Sequence, residues 1–176
     1  MSTVWTKWIA IGLCIAMVFC WTASLAENEE LLKPNQMIFY TKDSPWIKAI
    51  TKECEGLTNQ REIYDRVIYY YRDNFQYDFV KWASVGSGTS PDLEDCWTRK
   101  AGVDLDLGSM VCSMLRSQGI PAQLMVQLVD GIEAPVWVVA YIDDEVVVFN
   151  PAVAVKTAEV MDVTLDDLTA SDHALF

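Results

Sequence analysis

The chain has 176 residues, enough for one domain with a substantial core. Its 25 acidic residues outnumber 13 basic ones, for a formal charge of −12. A field of that sign repels phosphate backbones, which argues against a nucleic-acid-binding function and leaves basic or cationic partners open. With a single histidine and no pair of cysteines at metal-ligand spacing, neither a structural zinc site nor any other metal or cofactor is expected.

The first 26 residues read as a secretory signal peptide. Lys7 precedes an apolar run from Trp8 to Trp21, and Ser24-Leu25-Ala26 closes the segment before the acidic Glu27 to Glu30. An uncleaved membrane anchor is the alternative, because the apolar run is long and has one basic residue. Cys20 follows Phe19 rather than a small residue, which argues against lipid attachment there. Removal of this segment leaves 12 bases against 25 acids, a formal charge of −13. The expected location is secreted or at the cell surface.

Residues 27–42 read as a linker with a short strand at "MIFYT" (37–41). Pro45 behind Asp43 and Ser44 opens a helix that runs to Gly56. A second helix is expected from Asn59 to Asn74, with Ile63, Val67, Tyr71 and Phe75 on one face. Residues 84–95, rich in Gly, Ser, Pro and Asp, read as a loop. A third helix covers about 105–118, with Leu107, Val111, Met114 and Leu115 as its buried stripe, and Gly119 and Pro121 stop it. The pattern then turns to β-branched and aromatic runs at 122–130, 135–142 and 145–150, the last two joined at Asp143-Asp144 as a hairpin. Helices followed by strands predict an α+β domain over 43–155, its central helix packed on a small antiparallel sheet. An acidic tail follows at 156–176, where "LDDL" is a candidate short helix.

Taken in order, "YDRVIYYYRDNFQYD", "RKAGVDLDLGSMVCSMLRSQGIPAQLM", "VWVVAYI" and "VVVFNPA" resemble the transglutaminase-like superfamily, with its papain-like core. The resemblance spans roughly residues 44 to 155 and is most specific at "MLRSQGIPA". It implies a catalytic Cys at the start of the central helix, a His before the strand containing Trp137, and an Asp before Pro151. This chain has Asp104, Pro135 and Asn150 at those places. The fold is implied, but the catalytic residues do not carry over.

A thiol nucleophile needs a lowered pKa and a base beside it. Asp104 is a poor acyl-transfer nucleophile, and Pro135 has nothing to titrate. As the residue at the helix start, Asp104 reads as a cap whose charge suits the helix dipole, with Asp106 in the same turn. Asp104 and Asp106 are two apart on a helix and poorly placed to share one substrate. The remaining routes to chemistry are Cys96, in the preceding loop, with His173 folding back from the tail, or a carboxylate hydrolase. Cys112 reads as a small core residue, and Cys54 with Cys96 as a possible disulfide. Trp97 and Trp137 are candidates to line a remnant cleft. The expectation is a non-catalytic domain that binds a protein or cell-envelope ligand, touching the membrane only through an uncleaved N-terminus. The alternative is a hydrolase or acyltransferase of altered chemistry in the same cleft. A third possibility is a different small α+β envelope protein, in which the central helix would not pack on the Trp137 strand.

Overall fold

The computed structural model describes residues 29–86, 90–129, 132–143, 145–157, 162–163 and 172–175. The expected signal peptide and the "LDDL" helix lie outside them. No helix among the described residues is long and apolar enough to cross a membrane.

Helix α1 spans Pro45–Glu53, with the proline in its first turn where no N–H is needed. It buries Trp46, Ile47 and Ile50. Helix α2 spans Gln60–Asn74, and the Asn59 side chain caps it by accepting from the Glu62 N–H. Val67, Tyr71 and Phe75 of the expected stripe are buried, with Tyr64 and Ile68 added, while Ile63 is partly buried. The central helix α5, Asp104–Ser117, is buried at every residue from Asp104 to Arg116. Its Leu, Val and Met side chains each gain about 1.5–3 kcal/mol on full burial, so α5 is the mainstay of the core.

Three strands follow in the expected places: β3 (Ala122–Val129), β4 (Ile132–Ile142) and β5 (Glu145–Phe149). They pair antiparallel, β3 to β4 through Ala122↔Ala140 and Met125↔Trp137, and β4 to β5 through Val138↔Phe149. Helix α6 (Pro151–Thr157) leaves the end of β5. The C-terminal stretch adds β6 (Asp162–Val163) and β7 (Asp172–Leu175), giving the order β6-β5-β4-β3-β7. Helix α5 lies against this sheet at Gly108, where a Cβ would come within 2.8 Å of Leu124 and 2.9 Å of Val136. A side chain at this position would force Leu124 and Val136 to shift. The central helix therefore packs on the sheet that contains Trp137, as the resemblance implies, and the fold is α+β.

Three expectations are corrected. "MIFYT" is not a strand: the Asn35 carboxamide accepts from the Met37 and Ile38 N–H groups, so the chain turns there and Ile38 enters the core. Residues 84–95 are not one loop, for two short helices flank it: α3 (Phe79–Val85) and α4 (Leu93–Arg99). Each begins at an aspartate cap, Asp78 accepting from Lys81 N–H and Asp92 from Asp95 N–H. Cys54 and Cys96 form no disulfide. Both are free and buried, Cys54 at the end of α1 and Cys96 beside Gly102 in front of α5.

Candidate functional site: the start of the central helix

Two short strands, β1 (Gln76–Tyr77) and β2 (Ala101–Gly102), run parallel and set this corner. Their register places Tyr77 opposite Gly102, two residues before Asp104. The Tyr77 hydroxyl thereby reaches Asp104 and donates to its Oδ2 at 2.5 Å. Asp104 is 7% exposed. Burial first, and then this bond, hold the Tyr77 phenol far above its ordinary pKa. Tyr71 is next to the same group. Burial raises its pKa well above normal, and the neighbouring Cys96 and Asp104 add to the effect. Its hydroxyl donates to the Pro151 carbonyl at 2.8 Å.

Asp104 is not the cap of α5, contrary to the sequence reading. The N-cap is Val103, which has no side-chain acceptor, and Asp104 is the first helical residue. The capping bond comes from Asp106, at the third helical position. Its Oδ2 accepts the Val103 N–H at 3.0 Å and the Lys81 ammonium at 2.7 Å, and its Oδ1 accepts the Asp92 N–H at 2.9 Å. Asp106 is 1% exposed, and three donors offset the desolvation of its charge. Burial pulls the Lys81 pKa down, but the bond to Asp106 carries it above normal. The two aspartates thus face different partners, as their spacing implies.

The family position at Asn150 is equally engaged. Asn150 is buried and serves as a cap for α6: its Oδ1 accepts the Val153 N–H at 2.9 Å and its carbonyl the Ala154 N–H at 3.1 Å. Pro135 lies in β4 immediately before Val136, whose side chain meets α5 at Gly108. Pro151 also approaches Gly108, one turn beyond Asp104. Asp104 and Asn150 therefore share the corner where the start of α5 meets the β5–α6 junction.

The thiols offer no substitute. Burial pushes the Cys96 thiol up to about 12, and the Asp106 carboxylate adds to it. Burial does the same to Cys112, also to about 12. His173 pairs by backbone with Val126 in β7, and its side chain lies outside the described residues. No group of three or more His, Cys, Asp or Glu able to hold a metal occurs among the described residues.

Trp97 packs on the core edge, its ring 6.1 Å from that of Phe75 with the Lys100 ammonium over it. Trp137 is partly buried, and its indole N–H is enclosed without an acceptor. Neither Trp97 nor Trp137 is in the wall of two surface cavities that lie elsewhere among the described residues. One cavity lies between residues 36–46 and 90–94, and the other between α1 and the end of α5. Sequence reasoning missed Tyr71, Tyr77, Lys81 and the role of Asp106. No sequence pattern announced Asp106's role, since the usual capping box begins with Ser or Thr and the N-cap here is Val103.

The model of the transglutaminase-like superfamily matches residues 48–151, well over half of the chain. Among solved structures, the one called "a Putative Cysteine Protease from Cytophaga hutchinsonii" aligns with TM-score 0.55 at 20% identity, over 85% of this chain and 51% of that one. A second, "a Putative Protease from Parabacteroides distasonis ATCC 8503", aligns with TM-score 0.51 at 14% identity, over 80% of this chain and 30% of that one. At such identities these likenesses show the fold alone. The chain spans about half the length of the first structure and under a third of the second. No match is found among the curated proteins. With the matching family model and the central helix seated on its antiparallel sheet, the chain belongs to the transglutaminase-like superfamily.

Proposed function

We propose that this is a non-catalytic transglutaminase-like domain, exported to the cell surface or beyond, with a binding or scaffold role. One observation carries the reading: the position of the family nucleophile holds a carboxylate that is buried and bonded to Tyr77. An acyl-transfer site needs an accessible, activated nucleophile with a base in reach. Here the carboxylate is enclosed, the nearby thiols are protonated, and the third position caps a helix. The location rests on the order of residues 7–26.

The test is labelling and turnover on the folded protein. Iodoacetamide and a thiol-directed acyl probe should leave Cys54, Cys96 and Cys112 unmodified in buffer, and iodoacetamide should label all three in urea. Hydrolysis of an activated acyl ester should not exceed that of buffer. Acylation of native Cys96, or turnover that Asp104→Asn abolishes, would overturn the reading in favour of an altered hydrolase. Export is checked by the N-terminus of the mature protein, expected at Glu27.

A further inference from the structure

We propose that the cavity between α1 and the end of α5 binds a small organic acid, its carboxylate on the Arg116 guanidinium and its apolar body against Ile47 and Cys54. The cavity has a volume of about 870 Å³. Its described wall reverses the charge balance of the chain. Acids outnumber bases 25 to 13 over the whole sequence, but here Lys42, Lys48, Lys52 and Arg116 stand with the single acid Glu55. A cleft of one sign with low-dielectric walls concentrates ligands of the other sign. The Gln118 carboxamide donates to Thr51 Oγ1 at 3.1 Å and ties α5 to α1, so the walls are set before a ligand arrives.

The lysines alone would read as a solvated rim. All three are exposed, and Lys48 is paired with Asp43 at 2.9 Å. Arg116 is different. It is 4% exposed, yet no carboxylate pairs with it among the described residues. Glu30, which acts on it from a distance, is itself bonded to Lys33 at 2.6 Å. The partners of Arg116 are two carbonyls: Nε donates to Ala122 at 2.7 Å and Nη1 to Lys33 at 2.5 Å. Its Nη2 has no protein acceptor and is not sealed off, so that nitrogen is open to the cavity whose wall Arg116 forms. Carbonyl dipoles and the C-terminal end of α5 offset only part of a full charge. Burial accordingly pulls the Arg116 pKa below the ordinary guanidinium value. A buried cation without a counter-ion is costly, and an arriving carboxylate supplies one with a charge-assisted bond. One fixed guanidinium edge suits a carboxylate head, whereas a phosphate dianion calls for several fixed donors, and the other cations are lysines on long exposed stems. Ile47 and Cys54, 5% and 6% exposed, give the ligand body an apolar wall. Arg116 lies about 18 Å from Asp104 along α5, at 1.5 Å per residue. Acylation of Cys96 would therefore sink the preceding reading and leave this one standing.

The experiment is a titration of the full ¹⁵N-labelled chain at low salt with hexanoate. Hexanol and inorganic phosphate are the counterparts. The readout is the Arg116 Nε–H signal, assigned by its loss in Arg116→Lys. Hexanoate should move that signal saturably, and hexanol and phosphate should bind about tenfold more weakly. Lys42→Gln combined with Lys52→Gln should raise the Kd of hexanoate about threefold, as expected for exposed charges at a rim. Glu55→Gln should lower it about twofold, a gain that a poorly folded variant cannot imitate. Both variants should melt within a few degrees of the parent. Three results would each overturn the proposal: an unmoved Arg116 signal at tens of millimolar hexanoate, hexanol or phosphate bound as tightly as hexanoate, or unchanged affinity in Glu55→Gln.

Discussion

Helices α5 and α3 lie within reach of one another and are held by opposite means. Helix α5 is enclosed along nearly its whole length and packs on the sheet at Gly108. Helix α3 buries none of its residues. Phe79, Val80, Trp82 and Val85 are all at least half exposed. What fixes α3 is mainly polar, the Asp78 cap at its start and the Lys81 ammonium on Asp106 of α5, beside one ring contact of Phe79 with Tyr77. The carboxylate that begins the most buried helix is therefore also the tether of the least buried one. One element draws its position from packing, and the other from a few directed bonds to it.

This contrast can be broken most directly at Asp106. Asp106→Ala leaves the Lys81 ammonium and the Val103 and Asp92 N–H groups without their acceptor, and should cost about 3–4 kcal/mol in urea unfolding. Amide exchange in α3 should rise before that in α5. If α3 keeps its protection, packing holds it after all. Leu107→Ala, at a fully buried position of α5, should cost about 3 kcal/mol, with both helices loosening together. Tyr71→Phe removes a buried bond across the site and should cost about 1 kcal/mol. Trp82→Ala on α3 should change stability by less than about 0.5 kcal/mol, and a larger loss would reveal packing unseen here.

Lys100 sharpens the comparison through pH. Its ammonium sits over the Trp97 and Phe75 rings, and burial lowers its pKa to about 8. In the unfolded chain a lysine titrates near 10.4. Between those values the unfolded state binds more protons, so this group makes stability rise with pH from about 8 to 10. The raised thiols act in the opposite direction over the same range, since the folded state keeps their protons. The difference between the parent and Lys100→Met isolates the lysine. The variant should lose the rising component, and parallel pH curves would refute the assignment.

The sequence revealed the parts governed by repetition and hid those governed by single bonds. Helix α2, α5 and the strands β3 to β5 announce themselves through spacing, because each buries a regular face. Helices α3 and α4 do not, because each is short and rests on a single aspartate cap, Asp78 or Asp92, and the stretch 84–95 between and within them has the composition of a loop. "MIFYT" has the residues of a strand, but Asn35 takes up two of its N–H groups in a turn. At the site, sequence located Asp104 and Asn150 and misread the first. The carboxylate of Asp104 is held by Tyr77, brought there by the pairing of β1 with β2, and no local spacing encodes that pairing. The lesson is that a residue's chemical type at a helix start does not tell which nearby donor will claim it.

The edge strand β7 has a consequence for how the molecule is assembled. It pairs with β3 through Leu124↔Leu175 and Val126↔His173, roughly fifty residues apart in the chain. Loop closure over that length is slower than the formation of the local β3–β4 hairpin. During folding, β3 therefore passes through an interval with one edge unpaired, open to a strand from another chain. Shortening or blocking residues 172–175 would prolong that interval, so these residues protect a nascent sheet as well as completing a finished one.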